Sequence, residues 1–133
     1  MKWFKRIGMA ILFLPFILIL GVIVFEIFGM SVNHAATDRQ TKKLQADLTE
    51  GISDLEIVNI NSETGNSSGT GNHVECISTI IFSTEMKESE IEEAMAAYYD
   101  FDNEYCVIRK EEDRTFSIYL ETSAPFRDNI EGH

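Results

Sequence analysis

An α+β domain carried on one N-terminal transmembrane helix is the architecture this sequence predicts, and three patterns predict it. Residues 7–25 carry no charge and are rich in Ile, Leu, Phe and Val. Four later segments alternate apolar and polar residues with the period of a β-strand. Between the second and third of these, Ile91, Ala94, Met95 and Tyr98 recur at the spacing of one helix face. The predicted order is α-β-β-α-β-β: a four-stranded, mainly antiparallel sheet with the second helix packed on one face.

The anchor comes first. Extended to Phe28, the apolar run makes a helix of roughly 33 Å at 1.5 Å per residue, against a hydrocarbon core of about 30 Å. Pro15 and Gly21 are tolerated in such a helix and are expected to bend it. Glu26 falls in the last turn, within reach of the headgroups, and Trp3 and Phe4 suit the opposite interface. A cleavable signal peptide is the rival reading, because Lys2, Lys5 and Arg6 also form a basic leader. Against it, the apolar stretch exceeds the roughly 7 to 15 residues of a signal core, and residues 31–36 offer no small-Xaa-small cleavage site. A prepilin leader ending at Gly8 would call for a glutamate five positions on, where this chain has Phe13. The expectation is therefore an uncleaved, single-pass anchor. Because Lys2, Lys5 and Arg6 abut the span directly, the N-terminus is expected in the cytoplasm and the rest outside it. Arg39, Lys42 and Lys43, on the other flank, stand further from the membrane.

The division that follows is a basic N-terminus, 1–6; the anchor, 7–28; a polar stalk or linker helix, 29–53; an α+β domain, 54–123; and a loosely held tail, 124–133. The chain has 133 residues and a net charge of −11. Residues 31–133 hold 8 basic and 21 acidic residues, a net of −13. A surface of that sign repels phosphate backbones, so nucleic acid is not an expected partner. Basic partners and cations remain compatible with it.

In the stalk, Thr37 and Gln40 have capping-box spacing, Gly51 supplies a stop, and Leu44 and Leu48 form a thin apolar edge over 35–50. Strands are expected at 55–60 and 74–83, joined by a loop over 62–73 rich in Gly, Ser, Thr and Asn. That loop precedes a strand and carries no cation, which excludes a phosphate-cradling glycine loop. The second helix is expected from Glu88 or Glu90 to Tyr99, with Ser89 and Glu92 as its capping box. Strands at 105–109 and 115–121 close the domain around a turn at 111–114. Phe116, Ile118 and Leu120 point inward, and Thr115, Ser117 and Tyr119 outward.

Candidate chemistry is sparse. Cys76 and Cys106 are the only cysteines. Alternation places both on the core face of their strands, and a disulfide between them is expected in an oxidising compartment. Asp100, Asp102 and Glu104 alternate like the opening of a calcium loop, with Glu111 at the twelfth position, although Tyr105 occupies the place of the turn glycine. His34, His73 and His133 show no ligand spacing, and the minimal motifs of metalloproteases, serine hydrolases, nucleotide-binding loops and thioredoxins are missing. The outer sheet face, with Glu56, Glu75, Thr79, Tyr105, Val107 and Tyr119, is the surface expected to bind. No catalytic residue and no cofactor is expected. The functional expectation is a membrane-anchored, non-catalytic, extracytoplasmic interaction or regulatory domain with a protein partner in the envelope. Two alternatives stand beside it. One is an assembly subunit joined to a transmembrane complex through the Gly21 and Gly29 helix face. The other is an ion-binding or enzymatic domain whose site forms only in the fold.

Overall fold

A computed structural model describes residues 2–69, 71–103 and 105–133, without the side chains of Lys2, Phe4, Lys5 and Arg6. Its elements follow the expected order. Helix α1 is Lys2–Gly51, β1 Glu56–Gly65, β2 Glu75–Ser83, α2 Glu88–Met95, β3 Cys106–Glu112 and β4 Thr115–Ser123, and a 3-10 turn at Ile130–Gly132 closes the chain. The strands form one antiparallel sheet in the order β1-β2-β4-β3, so two sequential hairpins join edge to edge through β2 and β4.

The segments expected to be anchor and stalk form one unbroken helix of 50 residues. Its first part is apolar and bare: among the described residues, one helix is long and apolar enough to cross a membrane, and none of its most apolar stretch is buried in the molecule. The later part lies across the inner face of the sheet. Gly29, Asn33, Thr37, Thr41, Leu44, Leu48 and Ile52 are buried, three or four residues apart, as a single helical stripe. The Thr37–Gln40 capping box does not form. A cap serves amide groups that lack an upstream partner, and here the helix arrives from residue 2 with those amides already bonded. The polar side chains are thereby free for bonds to other elements.

The main core lies between α1 and the sheet. Leu44, Leu48 and Ile52 meet Ile80, Phe82, Ile108, Phe116 and Ile118, with Ile91 and Met95 of α2 closing the side. Phe82 and Phe116 stack at 6.0 Å. Burying each of these large side chains contributes about 1.5 to 3 kcal/mol. It is thus the stalk helix that covers the sheet. Helix α2, expected to be the cover and to run to Tyr99, ends at Met95 and seals only the margin near β3. Its entry also differs: Glu90 accepts the Lys87 amide at 2.7 Å, so Lys87 and Glu90 take the cap positions expected of Ser89 and Glu92. The hydroxyl of Tyr99 donates to Asp47 at 2.5 Å, tying the chain beyond α2 to α1.

Strand β1 continues to Gly65, through residues expected to be loop, because Thr64 and Gly65 still pair with Cys76 and Glu75. Residues 61–65 lack alternation because an edge strand's outer surface stays wet. The tail is hydrogen-bonded to the rest of the molecule. Val74 donates to the Arg127 carbonyl at 2.8 Å, and Asn33 both donates to the Phe126 carbonyl at 2.8 Å and accepts its amide at 2.9 Å.

The expected disulfide is corrected. Cys76 and Cys106 do share the core face, but both are free and buried, 2% and 3% exposed. Cys76 pairs with Thr122 and Cys106 with Leu120, from opposite sides of β4. Two strand spacings, about 9 to 10 Å, separate them laterally, beyond the roughly 7 Å between Cα atoms that a disulfide tolerates. Burial, and secondarily Asp100, pushes the Cys106 thiol up to about 11. Alternation identifies the face but not the strand order, and strand order decides whether two thiols meet.

Candidate functional site

The outer face of the sheet gathers a set of interacting polar groups around one open depression. From β2 comes Glu75, 5% exposed despite its charge. The chain preceding β2 adds His73, the turn after β1 adds Ser67, and β4 adds Tyr119 and Glu121. Tyr105 and Arg109 border the same open depression of about 570 Å³. Antiparallel pairing explains the convergence, since Glu75 lies opposite both Gly65 and Ser123, at the end of β2 nearest the bare half of α1.

Glu75 is held from both sides. Its Oε2 accepts the Ser67 amide at 2.7 Å and the Ser67 hydroxyl, while Oε1 lies 2.5 Å from His73 Nε2. Burial pushes its carboxyl up, but the Ser67 bonds and the neighbouring imidazole outweigh that, and it settles below the ordinary carboxylate value. Ser67 also reaches Glu121 at 3.2 Å, and Glu121 accepts the Tyr119 hydroxyl. Burial first, then the bond to Glu121, raises the Tyr119 phenol. The result is an acidic depression in which the lowered Glu75 carboxyl is ionised and the raised Tyr119 phenol is neutral at pH 7.

Serine, histidine and a carboxylate so close together invite comparison with a nucleophilic triad, and the connectivity differs. In a triad the imidazole touches the hydroxyl. Here Glu75 stands between them, so the group bonded to Ser67 is a carboxylate of lowered basicity. The arrangement ties the 66–73 turn to the sheet and presents negative charge and aromatic surface.

Of the outer-face residues expected from sequence, Glu75, Tyr105 and Tyr119 line this depression. Val107 and Thr79 are half-buried beside it, and Glu56 lies at the far end of β1 with Asp54 and Arg114. Ser67, His73 and Glu121 were not anticipated. The spacing of His73 from Glu75, and of Tyr119 from Glu121, two residues each, was the available signal.

The calcium candidates lie elsewhere, beside the end of α2. Asp100 spends its carboxylate on a local turn, accepting the Asp102 amide at 3.0 Å and Asn103 Nδ2 at 3.2 Å. Asp102 is exposed, and Glu104 lies outside the described residues. Among the described residues no three His, Cys, Asp or Glu side chains form a metal-ligand group. On α1, a side chain added at Gly21 would meet open space, whereas at Gly29 it would meet Phe126 at 3.5 Å and Asn129 at 3.4 Å. Gly29 therefore packs against the chain's own tail, and the two glycines do not form one free face. The chain matches no family model, no curated protein and no solved structure.

Proposed function

We propose that this chain is a single-pass membrane protein whose acidic domain is a non-catalytic interaction or regulatory module outside the cytoplasm. The observation that carries the reading is the continuity of α1: one helix is bare and apolar over a span's length, then sets Leu44 and Leu48 into the domain's core. A signal sequence destined for removal has no need to run without a break into the core helix. Lys2, Lys5 and Arg6 support a cytoplasmic N-terminus. With Cys76 and Cys106 free, redox chemistry gives no separate support for the outside, and orientation rests on the basic flank.

The partner that fits is a protein surface with cationic side chains, met by Glu121 and by the rings of Tyr105 and Tyr119, with the buried charge of Glu75 behind them. A second reading, a subunit of a transmembrane complex, draws on the unoccupied surface around Gly21, where another helix can approach closely. Topology is tested with Ser53→Cys, an exposed position at the far end of the domain. The native thiols are buried and stay silent. Labelling by a membrane-impermeant maleimide in intact cells is the expected result. Labelling only after permeabilisation would place the domain in the cytosol and overturn the orientation.

A further inference from the structure

We propose that Phe126 to Ile130 form a second membrane contact, a foot resting in the headgroup layer beside the point where α1 leaves the bilayer. The proposal rests on the anchor reading above and adds to it what the domain does at the lipid surface.

The level of the foot follows from its bonds. The Phe126 ring stands edge-on to both Phe25 and Phe28, at 5.8 Å from each, and fills the space left by Gly29. Both partners are more than half exposed and belong to the last turns of the apolar run. The Ile130 amide donates to Glu26 at 2.9 Å, which sets that residue beside the final turn of the span. His34 meets Glu131 at 2.5 Å and Asn33 grips the Phe126 backbone, so the segment cannot move along the helix without breaking several bonds. Glu26 itself, a charge that would be costly in hydrocarbon, thereby gains a donor at the boundary.

Composition suits that level. Ile130 is 61% exposed, although Asn129 beside it is 1% exposed, so the segment turns its polar amide inward and its apolar side chain outward. Arg127 and Asp128 are both exposed next to Phe126, and Arg127 has the length to reach a lipid phosphate. The occupant is the bilayer rather than a protein because the patch is continuous with the span. If residues up to 28 are immersed, Ile130 lies within about one helical turn, 5.4 Å, of the hydrocarbon edge. An apolar residue, an aromatic ring and an arginine at that depth are the ordinary composition of an interfacial anchor.

The test places single tryptophans in the full-length chain, with Trp3→Phe as background, reconstituted in phosphatidylcholine vesicles containing lipid brominated near the headgroup or deep in the chain. Ile130→Trp should lose about half its emission to the shallow quencher and shift to the blue, as an indole at the interface does. Val58→Trp, exposed at the far end of the sheet, should lose none. Phe16→Trp should respond to the deep quencher. If Ile130→Trp behaves like Val58→Trp while Phe16→Trp is quenched, the foot is refuted and the anchor stands. A blue shift of Ile130→Trp without quenching would mean that protein covers the patch, which also refutes it. If Phe16→Trp is itself unquenched, the anchor reading fails and the foot with it.

Discussion

The two ends of the α1–sheet interface are held by different chemistry. Far from the apolar run, Leu44, Leu48 and Ile52 pack dry against Phe82, Ile91 and Met95. Near it, the same stripe of the same helix presents Asn33, Thr37, Gln40 and Thr41, joined to the sheet and tail by hydrogen bonds. Thr37 meets Thr64 at 2.6 Å and Thr41 meets Ser78 at 2.7 Å. Gln40 donates to the carbonyls of Cys76 and Leu120 at 2.9 and 3.2 Å and accepts from Thr122. Among the described residues, every buried side-chain nitrogen and oxygen has a partner. The contrast teaches how a continuous helix keeps two apolar environments apart. Were the stripe apolar from residue 7 to residue 52, it would offer a bilayer of about 30 Å several positions to occupy. A hydrogen-bonded seam after Gly29 is poorly suited to hydrocarbon and well suited to a folded interface, so under the proposed anchoring the span would have one place to stop.

That comparison can be broken at either end. The largest effect is expected from Leu48→Ala, which opens a cavity in the dry half and should cost about 2 to 5 kcal/mol in denaturant unfolding of the detergent-solubilised chain. A cost below 1 kcal/mol would show that the dry half does not dominate stability. Asn33→Ala in the wet half should cost less, about 1 to 3 kcal/mol, because it strips partners from the Phe126 amide and carbonyl. Its signature is local: hydrogen exchange should accelerate at residues 126–130 far more than at β2. Uniform acceleration would mean that the wet half is part of the same cooperative core.

The smallest effect concerns the outer face. The folded-state pKa of Glu75 is lowered, so its contribution to stability is present above the ordinary carboxylate pKa and is lost as pH falls through the lowered value. Glu75→Gln should flatten the acid limb of a stability-against-pH curve and leave the region near pH 7 to 8 with little further slope. An unchanged acid limb would show that the Ser67 and His73 contacts do not hold the carboxylate in solution.

Much of this fold was legible because strand and helix periods differ, and each of Phe116, Ile118, Ile91 and Met95 reports its face locally. The missing parts share a cause. Thr37 and Gln40 look like a cap to anyone reading four residues, and only the helix arriving from upstream makes the cap unnecessary. Cys76 and Cys106 share a face, yet β4 lies between them. The tail's hold on α1 runs through Asn33 and Phe126, 93 residues apart, and neither residue type announces such a bond. At the outer face, alternation marked Glu75, Tyr105 and Tyr119. Ser67 arrives from a turn whose course depends on β1 running on to Gly65, which no local pattern signalled.

The unbroken α1 also acts as a lever. From Phe28 to Gly51 it extends about 35 Å at 1.5 Å per residue. Transmembrane helices tilt to match bilayers of different thickness, and a tilt change of about 10° would carry the far end of this one roughly 6 Å sideways. With no joint between the apolar half of α1 and the core, under the proposed anchoring the sheet and its acidic depression would follow, and the angle of that face would become a reading of the membrane itself.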